Sequence, residues 1–313
     1  MLRPVSRFLD DGNPDGRLHL QHGPIDLIIG VDDGNSAGEN LSLRRKRAFE
    51  AATARFETVL DELVGELALI RAPAGGNAII PTGTVSVRMA DAVRPFATRH
   101  FITPMAAVAG AVADEIISVM RSAFDVEECP SRMYVNNGGD IALHLDKTAE
   151  FRIRMAGETG TSLGDFAIAG TSRSRGIATS GRGGRSLSMG IADSVTVIAA
   201  TSAAADAAAT IVANAIDLPG HRQIRRARAI DVVDDSDLGE RMVVVDCGPL
   251  DEPEIDQALS AGAAEAERLL GAGLIHRAAL FLKNRGRLVV PRGHQADHQI
   301  ILHNAQTGAT FDA

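Results

Sequence analysis

Between Thr201 and Ile216 the chain writes a helix almost wholly in methyl groups: Thr-Ser-Ala-Ala-Ala-Asp-Ala-Ala-Ala-Thr-Ile-Val-Ala-Asn-Ala-Ile. Side chains this small let the helix backbone come close to whatever covers it, and a helix this apolar has to be covered. Asp206, Thr210 and Asn214 interrupt it at four-residue intervals, so they stack on one face. A carboxylate on a face that looks buried must be paired or must coordinate an ion. Asp206 and Thr210 are hard oxygen donors that suit Mg²⁺ completed by water and ligand phosphates. The same spacing also fits an Asp that caps a neighbour or pairs with an Arg in the core, and spacing alone does not separate the two.

Composition makes the same demand for close packing. The 313 residues contain no Trp, one Tyr (Tyr134), 10 Phe and 31 Gly. Apolar residues make up 45% and charged residues 23%, which is the balance of a folded globular chain and not of a disordered one. A net charge of −8 with so few stacking rings disfavours binding to single-stranded nucleic acid or along a phosphate backbone. Two cysteines, Cys129 and Cys247, are too few for a disulfide framework and match no zinc spacing. They read as reduced thiols, no stretch has signal-peptide character, and none reaches the roughly 18 apolar residues of a membrane span. A cytoplasmic protein with no membrane partner is expected, and a homodimer is left open.

Along the chain, residues 1–16 read as a loose arm and 17–313 as one domain. A hairpin runs from Arg17 to Val31, followed by a helix over 41–69 with an apolar stripe of Leu41, Leu43, Phe49, Phe56, Leu60, Leu63 and Leu67. The basic run Arg44–Arg47 on that helix reads as a solvated face. A second helix spans 104–123, entered by Pro104 in a first-turn position. Strands follow at 132–135, 140–145 and 150–155, then at 194–200, 242–245, 277–282 and 287–290, with helices at 202–216 and 254–270. Strands in hairpins with few, long helices predict an α+β fold rather than a regular βαβ sheet. The helix–strand order of 104–147 is loosely echoed from 202 onward, which leaves two pseudo-repeated halves open.

Two further segments carry chemistry. From Phe166 to Ala192 no acidic residue occurs, while Arg173, Arg175, Arg182 and Arg185 all fall among Gly, Ser and Thr. Glycines admit an anion to the backbone N–H groups, hydroxyls add donors, and Arg offers paired donors to phosphate. A flexible surface loop would have the same composition. Tyr134-Val-Asn-Asn-Gly-Gly-Asp140 is a strand feeding a two-glycine turn, where Gly138 and Gly139 allow a positive φ or close approach to a ligand. It is equally a plain hairpin signal. His294 and His298 flank Asp297, but no fixed third ligand accompanies them.

Taken in order, these segments resemble the ApbE-like superfamily, whose named members are FAD-dependent flavin transferases. Asn137-Gly-Gly-Asp140 is similar to its N-x-GGD-type turn and Gly176-Ile-Ala-Thr-Ser-Gly181 to its ATSG segment. Ser194-Val-Thr-Val-Ile-Ala and Ala205-Asp-Ala-Ala-Ala-Thr210 resemble its strand and A-D-x-x-x-T helix, and Gly110-Ala-Val-Ala-Asp114 its G-Y-x-x-D helix. Pro104–Gly110, Asn137–Ile141 and Ser186-Leu-Ser-Met-Gly-Ile-Ala-Asp193 resemble a branch carried as an uncharacterised protein family. The resemblance implies antiparallel sheets packed with long Ala-rich helices, Mg²⁺ on Asp206 and Thr210, and FAD or another flavin as ligand. The ligand would lie against Asn137, Gly138, Gly139 and Asp140, and against Thr179, Ser180, Gly181, Arg182, Arg185 and Ser186. An H-I-I-D-P-x-T-G segment of the transferases is missing, its place taken by Gly183–Asp193, and Ala109 stands where they carry Lys. The expectation is therefore a Mg²⁺-dependent enzyme of group or phosphoryl transfer or hydrolysis on a small phosphate-bearing molecule, without flavin transfer onto protein. No general base can be named. A flavin or nucleotide carrier, or an enzyme on an unrelated small molecule, is the alternative.

Overall fold

The computed structural model describes residues 3–9, 12–13, 16–33, 39–75, 80–156, 162–184, 186–291, 301–303 and 310–311. In chain order the elements are β1 (Val5–Phe8), β2 (Leu18–His22), β3 (Ile25–Asp32), α1 (Glu39–Gly65), α2 (Leu67–Ile70) and α3 (Thr84–Val93). A 3-10 turn (Pro104–Ala107) leads into α4 (Val108–Ser122), then β4 (Arg132–Asn137), β5 (Asp140–Leu145), β6 (Glu150–Ala156), β7 (Ser162–Ala169), β8 (Gly176–Ser180) and β9 (Ser194–Ala199). The chain continues with α5 (Ser202–Ala215), β10 (Ile224–Arg228), α6 (Ala229–Val232), β11 (Met242–Cys247), α7 (Glu252–Gly271), β12 (Arg277–Leu282) and β13 (Arg285–Val289). Two short strands, β14 (Ile301–His303) and β15 (Thr310–Phe311), come last. It is an α+β fold with antiparallel strand pairs.

Packing divides the chain into two compact units. The first holds residues Met1–Phe151, Ala169–Ala178 and Ala200–Asp206. Within it β1 to β5 form an antiparallel meander, and β5 pairs onward with the start of β8. Period-2 alternation buries Leu27 and Ile29 of β3 and Met133 and Val135 of β4, and α1 and α4 pack on the strands. On α1 the buried residues include Leu41, Ala48, Phe49, Ala52, Phe56, Val59 and Leu63, and from Phe49 on they recur every three or four residues. Leu43 is 62% exposed, because it lies two residues from Leu41 and so points away from the stripe. The basic run is matched side by side: Arg44 pairs with Asp33, Arg45 donates to the Val31 carbonyl, and Arg47 lies over Phe124 and pairs with Glu128. Buried Glu115 of α4 binds Arg55 of α1 at 2.8 Å and Arg88 of α3 at 3.0 Å, tying three helices together.

Several elements depart from the sequence reading. Val5–Phe8 of the expected loose arm pairs with Leu18–Gln21. The 41–69 helix breaks at Glu66, whose carboxylate accepts from the amides of Thr82 and Gly83 ahead of α3, and those bonds hold it down at about 2. The helix α3 itself has no counterpart in the sequence reading. Its Thr-Val-Ser-Val start favours a strand locally, yet Val85, Met89 and Val93 are buried at helical spacing.

The second unit holds residues Arg152–Ile168, Thr179–Ala199 and Ala207–Ala313. β9, β12 and β13 pair antiparallel, β10 pairs with β11, and β7 pairs with β14. α7 packs on β12 and β13 and opens with a capping box, Asp251 accepting from the Glu254 amide and Glu254 from the Asp251 amide. Among the described residues no helix is long and apolar enough to cross a membrane.

Candidate functional site

In the first unit two helix starts meet face to face. The amides of Ser202 and Ala203, at the start of α5, donate to the two oxygens of Asp114 on α4, at 3.0 and 2.8 Å. Reciprocally, the Gly110 amide at the start of α4 donates to Asp206 Oδ2 at 3.0 Å, and the Ala109 amide adds a second bond. Each helix thus carries a carboxylate that satisfies the free N–H groups and positive dipole end of the other. Gly110 is required at the crossing, since a Cβ there would lie 2.4 Å from the Ser202 carbonyl oxygen. Asp206 therefore does cap a neighbouring element, one of the roles its spacing allowed.

The β4–β5 turn closes on the same place. Gly138 and Gly139 take φ of +66° and +111°, and the Gly139 amide donates to Asn136 Oδ1 at 2.8 Å. Buried Asn137 donates through Nδ2 to the Ala109 carbonyl at 3.1 Å, and buried Asp140 opens β5. Asp206 thus feels two further carboxylates. Burial first, then the neighbouring charge of Asp140 and that of Asp114, push Asp206 well above the ordinary range, and the Gly110 and Ala109 amides oppose the shift. Burial pushes Asp114 up to about 6 against the pull of the Ala203 and Ser202 amides and Arg88. Such a concentration of negative charge is relieved by a proton or by a cation.

Magnesium fits these donors. The Asp206 carboxylate is a hard oxygen ligand, and the buried Ser202 hydroxyl, one turn earlier, has no hydrogen-bond partner among the described residues. Among the described residues no three His, Cys, Asp or Glu side chains are placed to chelate a metal. A cation here would rest on few protein ligands and keep much of its water, as Mg²⁺ does. Thr210 is half-buried and falls one turn after Asp206. Asn214, the third polar residue of that helix, accepts from the Met189 amide at 3.0 Å and so has a fixed structural partner.

The Gly/Ser/Arg segment is more ordered than its composition suggests. Gly176, Ile177 and Ala178 are buried in β8. Arg175 donates to the carbonyls of Ser172, Ser174, Leu145 and Gly170, so it braces the chain. Thr179 bonds Thr196 hydroxyl to hydroxyl at 2.9 Å, Ser180 is half-buried, and Gly181 is buried with φ of +154°. Arg182 pairs with Asp193 at 2.8 Å, one residue beyond the stretch that lacks acids. Ser186 and Arg173 are exposed. Arg185, His294 and His298 lie outside the described residues. Ser188 through Asp193, within the space of the missing transferase segment, are tied down by Val244, Ile216, Asn214 and Phe281. Cys129 and Cys247 are both free.

Sequence reasoning left Asp114 and Ser202 out of the site. Their signal was nevertheless present, since Gly110-x-x-x-Asp114 and Ser202-x-x-x-Asp206 are the same small-residue-to-Asp spacing on two helices.

The family model that the chain matches makes it an ApbE-like superfamily member. The chain belongs to the family described as AbpE bacteria, whose family model matches residues 6–290. A UPF0280 protein of Methanocaldococcus jannaschii is 38% identical over 120 residues, 36% of this chain and 45% of that protein. Another from Methanothermobacter thermautotrophicus is 33% identical over 149 residues, 45% and 52% of the two chains. One from Methanopyrus kandleri is 32% identical over 184 residues, 55% and 69%. The chain spans about half the length of the first two of these relatives. Flavin Transferase ApbE from Vibrio cholerae overlaps 92% of this chain and 97% of its own, at 14% identity and a TM-score of 0.33, too loose a match to carry an argument.

Proposed function

We propose that this protein is a cytoplasmic, Mg²⁺-dependent enzyme acting on a flavin-like or other small phosphate-bearing molecule by group or phosphoryl transfer or hydrolysis. The observation that carries the reading is the meeting of the α4 and α5 starts, where the Asp206 carboxylate lies among backbone amides beside Asp140 and Asp114. Asp206 and Thr210 would hold the cation, with the Ser202 hydroxyl a further oxygen nearby in sequence. Bound Mg²⁺ would neutralise ligand phosphates and polarise a phosphoryl oxygen. Asn137 fixes the Gly138–Gly139 turn to the start of α4, and that turn leaves backbone open for a ligand's approach. Asp114 keeps the start of α5 in place, which holds Asp206 where the α4 amides meet it.

Transfer of a flavin nucleotide onto a protein is not part of the proposal. Such a reaction must seat an acceptor hydroxyl in line with the diphosphate, and positioning supplies most of the barrier reduction. Here Ser188–Asp193 occupies the relevant stretch of sequence, with the Ser188 and Asp193 side chains and the Met189 amide already engaged in holding the fold. Water needs no docking surface. Incubation with FAD, Mg²⁺ and an acceptor domain, followed by chromatography, is expected to give FMN and AMP and no covalent flavin. Covalent flavin on the acceptor would restore full transferase activity. Neither product, with a colourless protein, would shift the assignment to a non-flavin substrate.

A further inference from the structure

In the second unit, β12 runs antiparallel to β9, with Arg277 opposite Ile198 and Ala279 opposite Thr196. The period of two puts these four side chains on one face of the pair. The opposite face belongs to α7, where Leu280 lies against Gly262. Thr196 is buried, and its hydroxyl meets that of Thr179 on β8 at 2.9 Å. One face therefore carries a guanidinium and two hydroxyls, with only the methyl of Ala279 beside Arg277 along the strand. Diagonal cross-strand neighbours such as Arg277 and Thr196 lie roughly 7–8 Å apart, within the reach of an arginine.

Arg277 is half-buried, and its side chain makes no hydrogen bond or ion pair among the described residues. Burial holds its guanidinium below the usual arginine value, and no carboxylate opposes that shift. Arg175, pushed down by burial in the same way, is compensated by four backbone carbonyls. Each other half-buried arginine described in the second unit also has its partner. Arg182 binds Asp193, Arg226 binds Asp217, Arg268 binds Glu265, Arg285 binds Glu252 and Asp256, and Arg287 binds the Ser260 hydroxyl. A guanidinium taken partly out of water with nothing to donate to is unfavourable, and its planar fork matches the paired oxygens of a phosphate.

We propose that Arg277, beside the Thr179–Thr196 hydroxyl pair, is the anchor of an anion subsite that takes a phosphate or diphosphate group. The subsite deepens the proposed function, resting on its phosphate-bearing ligand, and assigns a binding residue outside the segments that carry the family motifs. Arg277→Met is the informative variant, because it keeps an apolar stem and removes the charge. Inorganic pyrophosphate, in chelator and without metal, is the probe, read by isothermal titration calorimetry at low salt. Wild type is expected to bind it, and Arg277→Met to bind about 10- to 100-fold more weakly, the range for a hydrogen bond to a charged group. The melting temperature of unliganded Arg277→Met should stay level or rise by about 1–3 °C, since the variant no longer buries an unmatched cation. Should Arg277→Met fold poorly, Arg277→Gln, which keeps a polar head at the same depth, carries the same expected loss of affinity. Arg222→Gln, at an exposed arginine of the same unit, should bind within about twofold of wild type. ADP in place of pyrophosphate separates a diphosphate carried on a nucleotide from a free one, and either preference that depends on Arg277 supports the subsite. Equal pyrophosphate binding by wild type and the Arg277 variants would overturn it, as would an equal loss in Arg222→Gln, which marks general charge attraction. Wild type that ignores both pyrophosphate and ADP would also overturn it, whatever FAD and Mg²⁺ do. Pyrophosphate binding lost in Arg277→Met, without any FAD response, would keep the subsite and remove only the flavin substrate.

Discussion

Substituting Asp114 by Asn isolates the electrostatic cost of the helix clasp. The carboxyl of Asp114 rises from 3.8 to about 6 in the folded protein. A raised carboxyl means the folded state holds a proton that the unfolded state has released. The associated stability is complete below about pH 4 and is lost as pH rises through 6. At about 1.4 kcal/mol per unit, that loss is roughly 3 kcal/mol by pH 7 for this group alone. Asp206, shifted in the same direction, steepens the wild-type decline. Asn cannot ionise, but its amide offers one acceptor to the two donors of Ser202 and Ala203, at a cost of about 1–3 kcal/mol that does not vary with pH. Urea unfolding followed by circular dichroism at pH 4.2, 5, 6 and 7, in chelator, gives the comparison. Asp114→Asn should be less stable than wild type at pH 4.2, and the difference should move by about 2 kcal/mol in favour of the variant by pH 7. A stability difference constant across that range would refute the reasoning.

Gly110→Ala places a methyl against backbone, 2.4 Å from the Ser202 oxygen. It should lower stability by about 1–3 kcal/mol in thermal unfolding, and a loss under 0.5 would show that the helices separate freely. Glu115→Gln removes the buried carboxylate that Arg55 and Arg88 share, although Arg55 keeps its pairing with Glu62. It should cost about 1–3 kcal/mol in chemical denaturation, whereas exposed Arg154, paired with Asp165, should tolerate Ala within about 0.5 kcal/mol.

The α+β class was legible because long apolar helices and hairpins of alternating residues announce themselves locally. The β4–β5 hairpin needed only Gly138-Gly139, and α5 only its run of alanines. What stayed hidden depends on partners far along the chain. The Thr-Val-Ser-Val start of α3 favours a strand until Val85, Met89 and Val93 find a common face. Val5–Phe8 becomes a strand only because Leu18–Gln21 lies ready to pair with it. At the site, spacing placed Asp206 and Thr210 on one helix but could not show that Asp206 would meet the amides of Gly110 and Ala109, 96 residues away for Gly110. The positive block of 166–192 was similarly incomplete as read, since Arg175 turns inward to carbonyls and Arg182 finds Asp193.

Magnesium titration of wild type and Asp206→Asn, by isothermal calorimetry at pH 7.5 with and without FAD, tests the central claim most directly. Wild type should bind one divalent cation, more tightly with FAD present and more tightly as pH rises, because the proton and the cation compete for the Asp206 carboxylate. Asp206→Asn should bind none while remaining folded, since its amide oxygen can still accept from Gly110. Equal cation binding by both proteins, or none by wild type in the presence of FAD, would contradict the account.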